Sequence, residues 1–148
     1  EPHRVLAAIN EDIVRRGFGK YLTIFYGVLD EDAGALHFSN GGQFPPPIYF
    51  NESEATFLME PNLPVGLFNH ASFRTAELSL PERCLLLMLS DGVLEFVPGE
   101  SLAAKKANLL SIASRMDLKM DDMAAQLTLG RPQPPVDDIT LMLLKRGV

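Results

Sequence analysis

The chain has 148 residues, 47% of them hydrophobic and 22% charged, which is the length and composition of one soluble globular domain. Its net charge of −6 and its lack of a basic stripe argue against a nucleic-acid surface, and its apolar runs are far shorter than the ~20 residues that span a bilayer. The single cysteine, Cys84, lies in an apolar run, so no disulfide framework or cysteine-based zinc site is expected. We therefore expect a cytoplasmic protein that binds neither nucleic acid nor a membrane.

The first part of the chain predicts a helix followed by a β-hairpin. Apolar residues at helical spacing over 5–14 predict an amphipathic helix that ends at Gly17. The β-branched and aromatic run 21–29 predicts a strand covered on both faces, and 35–40 predicts its partner across an acidic turn at 30–34. The turn lacks the spacing and the downstream glutamate of a calcium loop, so a hairpin tip is the preferred interpretation.

The middle of the chain alternates stiff loops with short strands. Two glycines and three prolines in 41–47 predict a rigid loop without regular structure. Residues 48–50 and 55–58 predict two short strands about a turn, and 61–67 predicts a second Pro/Gly corner. The alternation over 73–80 predicts a strand with one solvent-exposed face.

The most apolar stretch runs from Cys84 to Leu89 and leads directly into Ser90-Asp91-Gly92. It has no polar alternation, which predicts a strand buried on both faces. An ionised Asp91 at the end of a buried strand needs an ion pair, hydrogen bonds or a metal, and Gly92 permits a sharp turn or the close approach of a ligand. Taken alone, the Asp-Gly pair is more often an Asx-turn that caps a hairpin.

The last third predicts helices and a closing strand. Residues 93–97 predict a brief continuation of the preceding strand, and 102–113 and 120–127 predict two helices. The Gly/Pro-rich segment 130–135 predicts a stiff connector, and 137–144 predicts a last buried strand that opens with two acids. The order of elements, with mostly antiparallel connections, predicts a layered α+β domain.

Acidic side chains stand at one end of each of two apolar predicted strands, with Asp91 at the exit of the first and Asp137 and Asp138 at the entrance of the second. In neighbouring antiparallel strands, the exit of one lies beside the entrance of the other. Carboxylates this close repel one another unless a cation lies between them, and an all-oxygen site favours Mg²⁺, Mn²⁺ or Ca²⁺ over zinc. Two independent turn or capping aspartates are the alternative that the spacing leaves open.

Five short motifs occur in a defined order: 23–30 (TIFYGVLD), 39–46 (SNGGQFPP), 64–67 (PVGL), 90–95 (SDGVLE) and 137–141 (DDITL). In that order they resemble five motifs of the bacterial branch of the metal-dependent protein phosphatase 2C family. These are its hairpin strand, Asn-Ala-Gly-His-x-Pro-Pro loop, Pro-Leu-Gly corner, Asp-Gly-Val-x-Glu motif and closing Asp-Asp-Ile-Thr-Leu. The branch comprises serine phosphatases of sporulation and stress response that act in sigma-factor control. Each motif is weak alone, whereas five in order are specific.

The resemblance implies a layered α-β-β-α sandwich of mostly antiparallel sheets, with two Mn²⁺ or Mg²⁺ ions at one end. By the family pattern, Asp91 and Asp137 are metal ligands, the Gly92 carbonyl approaches an ion, and Asp138 supports the ligands from the neighbouring position. The pair of ions would activate a water, so that a phosphoserine is hydrolysed in line without a phosphoenzyme.

The sequence departs from the family pattern in two ways. The family takes the first half of its metal site from a Gly-Asp dipeptide and an Asp-x-x-Gly-His-Gly segment, but this chain contains neither a Gly-Asp nor a His-Gly dipeptide. Residues 1–148 are therefore expected to be the C-terminal two-thirds, roughly, of one phosphatase domain and to be inactive alone. In addition, Gln43 stands where the family usually has His.

Two functions follow from the resemblance. In the first, the full-length protein is a serine/threonine phosphatase, the output domain of a response regulator with an N-terminal receiver or sensor domain. It would act on a phosphorylated anti-sigma antagonist or sigma-factor regulator in stress signalling, and the presence of both Asp91 and Asp137 favours it. In the second, an inactive adaptor of the same fold binds a sigma factor or an anti-sigma regulator, which Gln43 and the missing motifs allow. A homodimer is left open.

Overall fold

A computed structural model describes residues 1–128 and 137–147, with only the backbone described for Leu127 and Thr128. The predicted connector 130–135 lies outside these residues. The chain folds into two compact units. The first comprises Glu1–Gln43 and Met59–Pro81, and the second comprises Phe44–Leu58 and Glu82–Val148.

The described residues form three α-helices, one 3-10 helix and seven strands. In chain order they are α1 (Pro2–Arg16), β1 (Ile24–Asp30), β2 (Ala35–Gly41), β3 (Ile48–Phe50), β4 (Ala55–Phe57), β5 (Ala76–Ser79), β6 (Cys84–Leu89), the 3-10 helix Asp91–Glu95, α2 (Leu102–Ala113), α3 (Met120–Thr128) and β7 (Leu141–Arg146). No helix in this part of the chain combines the length and the apolar character needed to cross a membrane.

Helix α1 forms where its apolar spacing predicts it. Proline in its first turn fixes a helical φ, and Gly17 ends the helix in the left-handed conformation, at φ 63°, while its N–H donates to the Val14 carbonyl. Leu6 is fully buried and belongs to a small core with Val65 and Phe73. The opposite face is solvated.

The Pro/Gly corner at 61–67 is fixed to α1 by one buried side chain. Asn10 is 4% exposed, its Oδ1 accepts the Gly66 N–H at 2.7 Å, and its Nδ2 donates to the Phe68 carbonyl at 3.0 Å. Gly66 has a φ of 90°, and a Cβ there would lie 2.5 Å from the Ile13 side chain, so the corner needs glycine at this position. The corner is thus specified by α1 as well as by its own prolines.

The sheet of the first unit has the antiparallel order β1-β2-β5. The predicted hairpin is confirmed, with Ile24 opposite Gly41 and Asp30 opposite Ala35. The expectation that 21–29 is covered on both faces is wrong, because Val28 and Leu29, on opposite faces of β1, are 43% and 40% exposed. The predicted strand at 73–80 shortens to Ala76–Ser79, and its alternating exposure agrees with one solvated face.

The sheet of the second unit has the antiparallel order β4-β3-β6-β7. As predicted, β6 is buried on both faces, with Leu85 and Leu87 at most 1% exposed and Leu86, on the opposite face, 8% exposed. Cys84 is a buried residue of this strand, and burial raises the pKa of its thiol. Helices α2 and α3 contribute Leu109 and Met123 to the same core.

Two sequence predictions in the second unit need correction. The sequence predicts a buried last strand over 137–144, but β7 comprises Leu141–Arg146, and the alternating exposure of its side chains shows that one face is less covered than the other. Residues 93–97 do not continue β6, since Asp91–Glu95 form a 3-10 helix. The predicted helices are confirmed, and the hydroxyl of Ser101 caps α2 by accepting the Ala104 N–H at 3.1 Å.

Candidate metal-binding turns

The predicted meeting of the two acidic turns is observed within the second unit. Strands β6 and β7 are antiparallel, with Leu89 opposite Leu141. The ladder extends one step further, because the Ser90 N–H donates to the Thr140 carbonyl at 3.0 Å. Asp91 follows this pair on one side and Asp138 precedes it on the other, so the exit of β6 and the entrance of β7 bring the acids together.

The Ser90 hydroxyl joins the two turns. It donates to the Asp138 carbonyl at 3.0 Å and accepts the Thr140 N–H at 2.8 Å, so it bonds to the chain on both sides of Ile139. The Asp137 carboxylate accepts the N–H of Asp138 at 2.8 Å, which orders the turn before β7. Sequence reasoning assigned no role to Ser90; its only signal was a hydroxyl directly before an Asp-Gly pair.

Gly92 is buried where the backbones of the two turns touch. A Cβ built on it would lie 2.6 Å from the Asp138 carbonyl oxygen and 3.3 Å from that of Asp137. Any side chain at this position would force the turns apart. The close approach that the sequence predicted at Gly92 is therefore to the backbone of the second turn.

The carboxylates of Asp91, Asp137 and Asp138 face solvent, so Asp91 is not the buried acid that the sequence suggested. Asp91 begins the 3-10 helix, and its side chain has no hydrogen-bond or ion-pair partner among the described residues, so the Asx-turn alternative is not observed.

Exposed carboxylates and a nearby backbone supply the oxygen donors that hard divalent cations take. In residues 1–128 and 137–147, however, no group of three or more His, Cys, Asp or Glu side chains could hold a metal ion. The oxygen atoms of the two turns therefore suit a hard metal ion, but only as some of its ligands.

The loop that contains Gln43 is shaped by Asn40. The Asn40 side chain accepts the Gln43 N–H at 2.7 Å and donates to the Gln43 carbonyl at 3.3 Å. Because both bonds use the main chain of Gln43, they do not depend on which side chain stands there.

A second residue that sequence reasoning missed is Lys105 on α2. Its Nζ donates to the Leu94 carbonyl, in the 3-10 helix that Asp91 begins, at 2.6 Å. The sequence alone does not predict this bond, since Lys105 belongs to an ordinary pair of lysines of the kind that is usually exposed to solvent.

The Stage II sporulation protein E (SpoIIE) family model matches residues 1–147. The comparison with curated proteins gives no match.

Among solved structures, the RsbU and RsbW domains of Rv1364c from Mycobacterium tuberculosis are 26% identical with a TM-score of 0.71, over 98% of this chain and 42% of that one. The phosphatase domain of the cell fate determinant SpoIIE from Bacillus subtilis is 16% identical with a TM-score of 0.65, over 99% of this chain and 67% of that one. The SiaA-PP2C domain of Pseudomonas aeruginosa is 17% identical with a TM-score of 0.71, over 99% of this chain and 60% of that one.

These similarities confirm the predicted fold, in which helices and antiparallel sheets are combined as in PP2C-type phosphatase domains. The chain spans less than two thirds of the length of two of the three structures, at 42% and 60%.

Proposed function

The chain belongs to the Stage II sporulation protein E family, which shares the PP2C phosphatase fold, and on that premise we propose that its full-length protein is a metal-dependent serine/threonine protein phosphatase. The observation that carries this proposal is that the turn of Asp91 meets the turn of Asp137 and Asp138. The two turns are joined by the Ser90 hydroxyl and by the close backbone contact at Gly92.

In the proposed site, the Asp91 and Asp137 carboxylates and the Gly92 carbonyl hold Mn²⁺ or Mg²⁺, and Asp138 supports them from beside the ligands. Two ions, when bound to the complete domain, supply an activated water and neutralise the charge of the phosphoryl oxygens. The contribution of this chain is to hold together the two turns that carry these carboxylates, through Ser90 and the Gly92 contact. The remaining ligands would come from elsewhere in the full-length protein.

For the substrate, we propose a phosphoserine or phosphothreonine on a protein regulator of a sigma factor, in the cytoplasm. Support comes from the Mycobacterium tuberculosis protein, which combines RsbU and RsbW domains, and from a Bacillus subtilis SpoIIE structure that holds a PP2C phosphatase domain with a fragment of a regulatory domain. By analogy, a receiver or sensor domain in the same chain would control the site, and the pathway would be a stress response.

A second candidate is an adaptor of phosphatase fold that binds a sigma factor or an anti-sigma regulator without catalysis. It is favoured by one observation, which is that the described residues bring together fewer than three side chains able to hold a metal. The two functions differ in whether the full-length protein hydrolyses phosphoserine.

The test is Mn²⁺-dependent hydrolysis of a phosphoserine peptide by the full-length protein and its Asp91→Asn variant. We expect activity that requires Mn²⁺, and a loss of at least about 100-fold in Asp91→Asn, because a lost ligand costs more than the 10–100-fold typical of groups that only support one. Asp122→Asn is the matched control, since Asp122 is an exposed acid in the first turn of α3, and it should keep full activity. Full activity of Asp91→Asn would contradict the metal assignment, and inactivity of a folded wild-type protein would favour the adaptor.

A further inference from the structure

We infer that Lys105 is a positioning residue for Asp91, acting through the 3-10 helix that carries it. The inference rests on the proposed function in that the positioned carboxylate is taken as a metal ligand. Lys105 does not act on the Asp91 carboxylate directly. Its Nζ donates to the carbonyl of Leu94, three residues beyond Asp91, at 2.6 Å.

The orientation of Asp91 depends on the backbone that carries it. Its carboxylate has no hydrogen-bond or ion-pair partner within the described part of the chain, so no neighbouring side chain fixes it. The beginning of the 3-10 helix is held by Ser90, which is bonded to the turn before β7. At the other end, the Val93 carbonyl accepts the Phe96 and Val97 N–H groups, so the Leu94 carbonyl takes its support from a donor outside the turn.

Lys105 supplies that support from helix α2, which is anchored in the core. An ammonium group near the last carbonyls of a helix is favourable, since they carry the negative end of its dipole. Helix α2, which carries Lys105, is anchored in the core by Leu109 and Ala113, both fully buried. The lysine thus connects the 3-10 helix to an element that does not depend on it.

A second contact from the same face of α2 continues the support. Asn108, one turn after Lys105, donates its Nδ2 to the Pro98 carbonyl at 2.7 Å. At Gly99 the chain passes so close to α2 that a Cβ would lie 2.8 Å from the Lys105 backbone nitrogen. The segment that follows Asp91 is therefore attached to the first two turns of α2.

The chain provides a matched control for Lys105. The Nζ of Lys145 donates to the Met116 carbonyl at 2.7 Å, which is the same kind of bond in the same unit. Lys145 lies opposite Leu85, however, near the start of β6 and away from the acidic turns. Loss of this bond should affect stability but leave Asp91 in place.

The test compares Lys105→Met, Lys105→Arg and Lys145→Met in the full-length protein. Mn²⁺ affinity is measured by calorimetry, and hydrogen exchange is measured at the Phe96 and Val97 amides, which donate to Val93 in this turn. We expect Lys105→Met to weaken Mn²⁺ binding by about 10-fold, the lower end of the effect of groups that orient metal ligands, and to speed exchange at the two amides by a similar factor. Lys105→Arg keeps a cationic donor, so it should retain most of the Mn²⁺ affinity and most of the protection of the two amides. Lys145→Met should change neither the affinity nor the exchange rates.

Equal Mn²⁺ affinity in Lys105→Met and Lys145→Met would overturn the inference, even if both variants were less stable than the wild type. If the wild-type protein binds no Mn²⁺, the proposed function fails, and amide exchange then decides the role of Lys105 alone. Faster amide exchange in Lys105→Met but not in Lys145→Met would support the inference that Lys105 holds the 3-10 helix in place. Unchanged exchange in Lys105→Met would refute that inference. Should Lys105→Met not fold, Lys105→Gln carries the same comparison.

Discussion

The site depends on the absence of a side chain at Gly92. Its φ is not in the left-handed region, so the backbone conformation alone does not require glycine there. The requirement comes from space, because the missing Cβ position is 2.6 Å from the Asp138 carbonyl oxygen. A main-chain carbonyl cannot move aside as the end of a flexible side chain can. Gly92 therefore sets how closely the turn that begins with Asp91 approaches the backbone of Asp138.

Gly92→Ala should separate the two turns. We expect it to cost about 1–3 kcal/mol of unfolding free energy, the usual penalty of overpacking, and to weaken Mn²⁺ binding by the full-length protein. Urea denaturation followed by circular dichroism, together with calorimetry, measures both effects. Gly27→Ala is the control, because its Cβ would meet the flexible end of Leu36 at 3.2 Å, and it should leave Mn²⁺ affinity unchanged. Equal metal affinity in the two variants would show that the contact does not position the acids.

At the residue scale, the sequence predicted which turns meet but not what joins them. Asp91 and Asp137 could be identified as candidates because each follows or precedes an apolar run, and antiparallel pairing of β6 and β7 brings their turns together. Ser90 and Lys105 could not, since their bonds go to main-chain carbonyls that no residue type marks. Such bonds depend on the packing of elements that are distant in sequence.

At the scale of elements, α1 and the 61–67 corner form one structure. Asn10 occupies a buried position on a helix whose other buried side chains are apolar. Its amide satisfies one donor and one acceptor of the corner main chain, at Gly66 and Phe68. Asn10 specifies how the corner docks, because an apolar residue would leave the Gly66 N–H without its acceptor, while the Phe68 carbonyl would keep its bond from the Ala71 N–H.

Asn10→Ala should therefore destabilise the protein by about 1–3 kcal/mol, through two lost hydrogen bonds and a Gly66 N–H left without its acceptor. The measurement is the urea midpoint and slope of the full-length protein. Asn51→Ala is the comparison, since Asn51 also bonds to the main chain, at Ser53 and Glu54, but in an exposed turn where water can replace it. We expect it to cost about 1 kcal/mol or less. A similar cost for both would contradict a special role for Asn10.

Local patterns identified elements well, but element ends and exposure poorly. Helix α2 was predicted from its apolar residues, and β6 from an uninterrupted apolar run. Strands β1 and β7 were predicted to be buried, yet both carry exposed side chains, such as Val28 and Met142. Composition indicates what a strand could bury, whereas its position in the sheet decides what it does bury.

At the scale of the whole molecule, each unit ends its sheet in an apolar strand. No described strand pairs with the outer edge of β1 or of β7. Leu29 on β1 is 40% exposed, and Met142 on β7 is 51% exposed. Unpaired, apolar edges are templates for pairing with another chain, and natural proteins often protect such edges with lysine.

We therefore predict that residues 1–148, expressed alone, self-associate through these edges. Sedimentation velocity at increasing protein concentration should show a rising average mass, and the double variant Leu29→Lys/Met142→Lys should reduce it, because buried lysines oppose strand pairing. Leu102→Lys provides the control, since Leu102 is 51% exposed but lies on α2. It adds positive charge without blocking an edge and should leave association unchanged. A chain that stays monodisperse at every concentration, or that Leu102→Lys rescues equally well, would show that the edges of β1 and β7 do not drive association.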